Sequence, residues 1–258
     1  MERILVLLNC FFNHSDIERT IESIQNTEYP CDIIMLENPS KYSDKIREIA
    51  IKYRVYKHYI CSDNIEGNVF LIFCNTYPDI INRYRYICMS EADVVLDMGS
   101  LHESINILST SPDNSDVISI GLHMNTVKYH SLPIQQWVPP PGRSGKYIVG
   151  HTGFQFIIFK INVLHDFINS INRKELSEAV ALGVDRYYGI SDTNLYIFIK
   201  RRGHYWLRTE FNNLDHIGWE HYMKHGDEYV EEKNRNLANG KIRSNIDISK
   251  YTLLELTE

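Results

Sequence analysis

The stretch "RYRYICMSEADVVLD", residues 83–97, decides the fold that we expect for this chain. Its first half is rich in aromatic and β-branched side chains, which favour a buried strand. The strand leads directly into two carboxylates one residue apart, Glu91 and Asp93, before the sequence turns apolar again. Carboxylate oxygens suit Mg²⁺ and Mn²⁺, which share their remaining coordination positions with phosphates and water. The stretch therefore predicts a divalent-metal site at a strand end. A solvated strand end or a turn is the other interpretation of the same spacing.

Strand-like and helix-like segments alternate on the N-terminal side of this stretch. The strand-like segments are "RILVLLNCFF", "CDIIMLENPS" and "VYKHYICSDN". The helix-like segments are "NHSDIERTIESIQN", "SDKIREIAIKYR" and "VFLIFCNTYPDIINRY". Alternation of this kind predicts an α/β fold with a mostly parallel central sheet that is flanked by helices.

The helix-like segments carry signals for their ends and for their buried faces. Ser15, with Glu18 three residues later, predicts a capping box at the start of the first helix. Pro78 predicts a break in the third helix. Apolar residues at helical spacing are expected to face the core, namely Ile17, Ile21 and Ile24 in the first helix and Ile46, Ile49 and Ile51 in the second.

Four successive predicted strands end in amide or carboxylate side chains. These ends carry Asn9, Glu37 with Asn38, Asp63 with Asn64, and Glu91 with Asp93. In parallel sheets the ligand crevice lies at the carboxyl ends of the strands, so the pattern predicts a polar crevice there. No GxGxxG follows the first strand and no GxxxxGK[ST] occurs in the chain, which argues against a classical dinucleotide-binding fold and a P-loop enzyme.

The second half of the sequence is less regular. "DVISIGLHM" predicts a strand, and the Pro- and Gly-rich residues 132–145 predict a loop that serves as a lid. "YIVGHTGFQFIIFK" predicts a strand or a hairpin with bends at Gly150 and Gly153, and "NVLHDFINSI" predicts a helix. A further helix is expected to begin at Asp192 and to end at Gly203, and a strand is expected to follow it.

Composition restricts the class of protein and of partner. The 258 residues are 43% hydrophobic and 23% charged, with a formal net charge of -6 and no long block of Lys or Arg, which argues against a nucleic-acid partner. The five cysteines are scattered without a CxxC motif, as in a reduced cytoplasmic protein. The N-terminal apolar run is too short to cross a bilayer and lacks a basic leader, so we expect no transmembrane segment and no signal peptide. Peripheral docking at a membrane stays open.

The order of several short motifs resembles that of family 2 glycosyltransferases of the GT-A fold. "SEADVVLD" resembles their D-x-D-V-x-L, "LENPS" resembles their D-N-x-S, and "GHTGFQFIIFK" resembles the strand before their acceptor site. Single matches in the segments "DNIEGNVFLIFCN", "GVDRYYGISDTNLYIFIKRRGHYWLR" and "LDHIGW" are Asn64, Gly67, Asn75, Gly183, Asp185, Asp192, Leu195, Gly203 and His216. The resemblance covers about residues 4–219.

This resemblance implies an activity and a metal. The expected reaction is the transfer of a sugar, with inversion, from a nucleotide-diphosphate donor, with UDP favoured, to a hydroxyl of a glycan-type acceptor in polysaccharide biosynthesis. Mn²⁺ or Mg²⁺ would be held by Glu91, Asp93 and His216. Asp192 would be the general base, whereas from its position alone it would be a helix cap. Likewise, His216 taken alone would be an ordinary loop residue.

The resemblance also implies a nucleotide-sugar pocket and a division of the chain. The residues expected to line the pocket are Asn9, Glu37, Asn64, Gly67, Glu91, Asp93 and Gly153. Trp137 and Trp219 would stack on the acceptor or pack in the core. We expect a single domain over residues 1–258, with a nucleotide-sugar half at 1–97, an acceptor half at 98–225 that carries a smaller sheet, and a charged helical C-terminal elaboration at 226–258.

Three positions depart from the family pattern. Glu91 stands where the family has Asp, Ser191 where it usually has Glu, and Asn194 where it often has Asp. These departures keep open a non-catalytic protein of the same fold that binds a glycan or a partner. A nucleotidyltransferase would also use paired acids on a parallel sheet, but "NCFFNHSD" lacks the Gly-rich basic loop of such enzymes.

Overall fold

The structure is a computed structural model that describes residues 2–111, 115–122, 142–144, 147–149, 153–176, 189–218, 231 and 247–256. The strands in these residues are β1 (Ile4–Cys10), β2 (Cys31–Glu37), β3 (Lys57–Cys61), β4 (Tyr86–Glu91), β5 (Val94–Leu96), β6 (Ser115–Leu122), β7 (Gly142–Ser144), β8 (Tyr147–Val149), β9 (Phe156–Lys160), β10 (Tyr205–His216) and β11 (Leu253–Glu255). The helices are α1 (His14–Asn26), α2 (Ser43–Lys52), α3 (Asn68–Thr76), α4 (Pro78–Ile81), α5 (Ser100–Thr110), α6 (Ile161–Asn172) and α7 (Asp192–Arg202), with a 3₁₀ turn at Ile248–Lys250.

The strands form one mixed sheet in the order β11-β3-β2-β1-β4-β9-β6-β10-β8-β7, and β5 pairs with β10. Strands β1, β2, β3 and β4 are mutually parallel, and β6 is parallel to β10. Strand β9 lies antiparallel between β4 and β6, so the two parallel groups point the same way. Their carboxyl ends therefore share one edge. The predicted α/β class with a mostly parallel central sheet is confirmed, and β7 and β8 form an antiparallel pair at one end of that sheet.

Hydrophobic side chains cover both faces of the sheet. Within β1, Leu5 and Leu7 belong to the core under α3, α6 and α7, whereas Val6 and Leu8 belong to the core under α1, α2 and α5. A strand buried on both faces must be apolar at every position, which explains the continuous apolar run in the sequence. Each fully buried Leu or Ile side chain contributes about 1.5–3 kcal/mol to the free energy of unfolding.

Two predictions about the first helices are wrong in detail. Helix α1 begins at His14 with Asn13 at the N-cap and without a side-chain cap, so Ser15 lies inside the helix instead of forming a capping box. Glu18 instead accepts hydrogen bonds from Lys52 and Tyr53. In α2, Ile51 is 53% exposed, because Ile46, Ile49 and Ala50 form the buried stripe and residue 51 faces away from it.

The stretch quoted first is not one strand but two. Strand β4, which pairs with β1, ends at Glu91. The chain turns at residues 92–93, and β5 pairs antiparallel with β10 instead. The predicted break at Pro78 is confirmed, since α3 ends at Thr76 and α4 begins at Pro78.

Later parts of the chain agree less evenly with the sequence-based predictions. Helix α7 begins at Asp192 and is followed by Gly203 at a φ of +68°, as predicted. Strands β8 and β9 do not form a hairpin with each other, because β8 pairs with β7 and β10. Part of the expected helical tail is strand β11, which pairs with β3. The predicted lid lies outside the described residues, except for 142–144, which form β7.

Candidate active site

The carboxyl end of β4 is the place where the chain brings its predicted metal ligands together. The backbone oxygen of Asp93 accepts hydrogen bonds from the backbone nitrogens of Ile217, at 2.8 Å, and Gly218, at 3.3 Å. Strand β5 continues this pairing, with Val94 opposite His216. The antiparallel pairing of the three-residue strand β5 with β10 therefore places His216 beside the two acids, although His216 and Asp93 are 123 residues apart in sequence.

Glu91, Asp93 and His216 form a compact cluster. One ligand atom from each residue lies within 4.8 Å of the other two. The Nε2 atom of His216 is 3.1 Å from Oδ2 of Asp93 and 3.6 Å from Oε2 of Glu91. The side chains of Glu91 and Asp93 are 43% and 27% exposed, so the cluster opens to solvent on its acidic side.

The charge of this cluster perturbs the histidine. Burial lowers the pKa of His216, but the carboxylates of Asp93 and Glu91 outweigh burial and raise it to about 9. Asp16, a buried acid in the first turn of α1, adds to this rise. The carboxylates that raise this pKa place negative charge beside the imidazole. The same negative charge attracts a divalent cation.

The chemistry of the three donors fits Mn²⁺ or Mg²⁺. Both ions accept carboxylate oxygens, and Mn²⁺ also accepts an imidazole nitrogen. Three protein ligands leave other coordination positions for water or for a phosphate. Glu91, Asp93 and His216 could therefore hold a divalent ion that keeps coordination positions open.

Neighbouring groups fix the cluster in place. Oγ1 of Thr20 and Oγ of Ser23, both on α1, accept the backbone N–H groups of Val94 and Leu96 at 3.1 Å each, which holds β5 against the helix. At Gly218, a Cβ atom would stand 2.0 Å from Oδ2 of Asp93, so only glycine allows the carboxylate to lie where it does.

Gly153 lies two residues before Gln155, whose backbone bonds the end of β4. Its φ is +97°, and a Cβ atom there would stand 2.7 Å from Oε1 of Gln155. The backbone oxygen of Gln155 accepts hydrogen bonds from the backbone nitrogen of Glu91 at 3.0 Å and from Oγ of Ser90 at 3.2 Å. The bend at Gly153 thus positions the segment that fixes the end of β4.

Asn9, Asn64 and Gly67 form a second polar group at the same edge, and Asn38 joins them. Nδ2 of Asn38 donates to Oδ1 of Asn9 at 2.8 Å, and its Oδ1 accepts the backbone N–H of Ile65 at 2.9 Å. Oδ1 of Asn64 accepts the backbone N–H of Glu66 at 3.1 Å. These bonds connect the ends of β1 and β2 to the turn before α3.

Glu37 occupies a different environment from the other predicted pocket residues. Its side chain is fully buried, and its Oε2 lies 2.8 Å from Nε2 of the equally buried His58. The structure therefore places this carboxylate inside the α2 side of the sheet, and its contact with a nucleotide stays a prediction.

Asp192 lies at the start of α7, next to the start of α3. Oγ of Ser191 accepts the backbone N–H of Asn194 at 3.2 Å and so caps the helix, while Oδ1 of Asp192 accepts the backbone N–H of Thr193 at 2.7 Å. Two residues earlier, the backbone oxygen of Ile190 lies 3.5 Å from the Cβ position of Gly67. Asp192 therefore shares the carboxyl edge of the sheet with the second polar group. Trp137 and Trp219 lie outside the described residues.

Two contributors to this site were missed from the sequence, Asp16 and Gly218. Asn38, which was expected only as one of the polar strand ends, is the centre of the amide network. Asp16 carried a usable signal, since a helix that follows a parallel strand begins at the carboxyl edge of the sheet. Gly218 carried no such signal, because glycine is needed there only on account of its contact with Asp93, 125 positions away in sequence.

Comparison with known proteins supports the fold. No protein-family model matches the sequence, and no curated protein matches it. Among solved structures, a mannosyltransferase from Pyrobaculum calidifontis, PcManGT, in complex with GDP-Man and Mn²⁺, is 10% identical with a TM-score of 0.53 and covers 84% of this chain. TarS residues 1–349 from S. aureus is 14% identical with a TM-score of 0.52 and covers 83%. The fold is of the GT-A type.

The two structures are longer than the part that matches. This chain spans 57% of the mannosyltransferase and 60% of the TarS fragment. None of the described helices is both long and apolar enough to cross a lipid bilayer.

Proposed function

We propose that this protein is a metal-dependent glycosyltransferase that moves a sugar from a nucleotide-diphosphate donor to a hydroxyl of a glycan-type acceptor. The observation that carries the proposal is the cluster of Glu91, Asp93 and His216, whose ligand atoms lie within 4.8 Å of one another at the carboxyl edge of a GT-A sheet. The motif order that resembles family 2 enzymes supports it, as do the GDP-Man and Mn²⁺ of the mannosyltransferase with the same fold.

In this proposal Glu91, Asp93 and His216 hold Mn²⁺ or Mg²⁺. When bound, the cation neutralises the two phosphates of the donor and stabilises the charge that develops on the leaving nucleotide. Asn9, Asn64 and Gly67 line the donor side. Gly153 acts through Gln155, whose backbone oxygen holds Glu91. A UDP-linked sugar is the favoured donor. Asn38 keeps the amides of this group in fixed orientations.

Asp192 is the proposed general base. An acceptor hydroxyl is a weak nucleophile, so a carboxylate must take its proton as the new bond forms. The start of α7 favours the ionised form of Asp192 because the positive end of the helix dipole lies there. Since Ser191 already caps the helix, Asp192 is not needed for that purpose. One displacement on the face opposite the leaving group inverts the anomeric centre.

The cytoplasm is the proposed location. All five cysteines are free, and four of them are buried in the sheet and its helices. Burial raises the pKa of the Cys74 thiol to about 12 and that of Cys31 to about 11, which keeps both as unreactive thiols. A reduced compartment suits a protein with this set of thiols.

The first test is a thermal-shift titration of the purified protein with UDP, GDP, CMP and dTDP, each with and without Mn²⁺. A ligand that binds the folded state raises the melting temperature. We expect one diphosphate to stabilise the protein only when Mn²⁺ is present, and the matching nucleotide sugar to be hydrolysed slowly.

The variants for this test are Asp93→Asn and, as the matched control, Asp79→Asn at an exposed position of α4. D93N should abolish the metal-dependent shift and lower hydrolysis more than about 100-fold, whereas D79N should behave as the wild type. If no nucleotide at millimolar concentration gives a metal-dependent shift, the transferase proposal fails. A protein of this fold that only binds glycans would then remain.

A further inference from the structure

Arg208 is a half-buried cation that forms no ion pair with any of the described residues. Its side chain is shielded from solvent at Nε, and this atom has no hydrogen-bond partner. No carboxylate among the described residues forms an ion pair with it. Burial alone lowers the pKa of the Arg208 guanidinium, with no described acid acting in the opposite direction. The arrangement is costly, because an ionised group that leaves water needs an anion or hydrogen bonds in return.

Other partly buried cations among the described residues face acids. Lys57, whose side chain is 27% exposed, forms an ion pair with Glu255. His216 faces Asp93 and Glu91. Arg208 differs from these two because no described carboxylate forms an ion pair with it, and such a difference is typical of a position that meets its anion in a ligand.

The position of Arg208 in the sheet identifies the side on which such a ligand lies. Trp206 belongs to the core under α7 and Leu207 to the opposite core, so strand alternation directs Arg208 to the α7 face. Pairing through Ser119 and Ile157 puts Arg208 level with Met89, two residues before Glu91 on its strand.

Arg208 is nevertheless separated from the metal ligands on β4. Strands β9 and β6 lie between β4 and β10, and three strand spacings amount to about 14 Å. An anion held by Arg208 is therefore distinct from the donor diphosphate assigned to Glu91 and Asp93. The α7 face also carries Asp192 at the start of its helix, which is the proposed base for the acceptor hydroxyl.

We propose that Arg208 binds a carboxylate or phosphate group of the sugar acceptor, so that the acceptor is an acidic glycan or a glycan phosphate. The guanidinium fork suits both groups because it donates two parallel hydrogen bonds to an oxyanion. This inference rests on the proposed glycosyltransferase function. It deepens that function by giving the chemical class of the acceptor.

The first arm of the test measures the ligand-free protein. Arg208→Met keeps the aliphatic stem and removes the charge, and Arg83→Met is the matched control at an exposed arginine. Because R208M removes a buried charge without removing a partner, we expect its melting temperature to rise by about 2–4 °C. R83M should change it by less than about 1 °C. A melting temperature that falls in R208M, or a variant that does not fold, would mean that Arg208 is structural and would overturn the proposal.

The second arm measures anion binding without metal or nucleotide. Inorganic phosphate and glucuronate are the probes, with glucose and sodium chloride at equal ionic strength as controls. We expect phosphate and glucuronate to raise the melting temperature of the wild type by about 2–4 °C, and that of R208M by less than about 1 °C. Arg208→Lys, which keeps the charge but loses the fork, should give an intermediate shift. Equal shifts in wild type and R208M would overturn the proposal.

The third arm separates the acceptor from the donor as the source of the anion. R208M should keep the shift produced by Mn²⁺ with the nucleoside diphosphate. If R208M loses that shift too, Arg208 binds the donor, and the assignment to the acceptor is wrong. If the wild type shows no nucleotide shift at all, the proposed glycosyltransferase function fails, while the phosphate comparison still tests the anion site.

Discussion

The carboxylate of Asp93 is held from more than one direction, and each contact has a consequence that can be measured. Its backbone oxygen is tied to residues 217–218, its Oδ2 faces His216, and Gly218 leaves the space that the carboxylate fills. Gly218→Ala would bring a Cβ atom to 2.0 Å from Oδ2, so one of the two groups must move. We expect Mn²⁺ affinity, measured by calorimetry, to fall by about 10–100-fold.

Gly203→Ala is the control for this glycine. Gly203 has a φ of +68° but no atom within 4 Å of its Cβ position, so alanine there strains only the end of α7. G203A should lower the free energy of unfolding by about 1 kcal/mol and leave Mn²⁺ affinity unchanged. Equal Mn²⁺ affinity in wild type and G218A would show that Asp93 does not need its present position to bind metal.

The raised pKa of His216 makes the metal-free protein sensitive to alkaline pH. The pKa is about 9 in the folded state, against about 6.5 in the unfolded chain. The protonated imidazole therefore contributes stability that is complete below pH 6.5 and is lost as pH rises through 9. Its size is of the order of 3 kcal/mol. In EDTA we expect the melting temperature to fall by several degrees over this interval.

His216→Gln tests whether this histidine causes the pH effect. The variant should have a flatter melting profile between pH 6.5 and 9, because it has no imidazole to deprotonate. In the wild type, Mn²⁺ must displace the proton, so its affinity should rise with pH up to about 9. A wild-type affinity that is constant over this interval would exclude His216 as a ligand.

At the scale of one element, two neighbouring residues at the start of helix α7 differ: Ser191 caps the helix, and Asp192 is the proposed general base. Ser191 provides the cap by accepting the N–H of Asn194, whereas the carboxylate of Asp192 accepts the N–H of the adjacent Thr193. Ser191→Ala should therefore lower the free energy of unfolding by about 1 kcal/mol and leave transfer intact. Asp192→Asn should leave stability within about 0.5 kcal/mol and lower transfer by about 10²–10⁴-fold.

These two variants are measured by denaturant unfolding and by product formation with a nucleotide-sugar donor. The opposite pattern, with activity lost in S191A and stability lost in D192N, would make Asp192 the structural cap and Ser191 the functional residue. If D192N alone lost both stability and transfer activity, the general base would be unassigned, and the result would count against the proposed mechanism.

Elements also differ in how far the sequence predicts them. Strand β1 and helix α1 follow from local patterns, namely a continuous apolar run and an apolar face at helical spacing. Strand β5 does not, because three residues carry no period and its partner β10 lies more than 100 residues away. For the same reason His216 is predicted only from the family resemblance, and Gly218 and Asp16 are not predicted from the sequence.

Over the whole molecule, the sheet is completed by the C-terminal strand β11, which covers the free edge of β3. Leu256 donates its N–H to His58 at 2.9 Å and Ser62 donates to Thr252 at 2.9 Å, so backbone bonds close both ends of the pairing. Glu255 accepts from Tyr59 at 3.1 Å and pairs with Lys57. An uncovered edge strand presents unpaired N–H and C=O groups that pair readily with another chain.

Deletion of residues 247–258 should therefore change the association state of the protein more than its Mn²⁺ binding. We expect the shortened protein to melt several degrees lower and to form dimers or larger species in light scattering, because β3 becomes an open edge. The metal cluster is separated from β11 by β3, β2 and β1, so Mn²⁺ binding should survive the deletion. Glu255→Gln is the matched control, because it weakens the ion pair with Lys57 but keeps the backbone hydrogen bonds between β11 and β3. This variant should have the same association state as the wild type. A monomeric deletion variant with an unchanged melting temperature would show that β11 does not protect this edge.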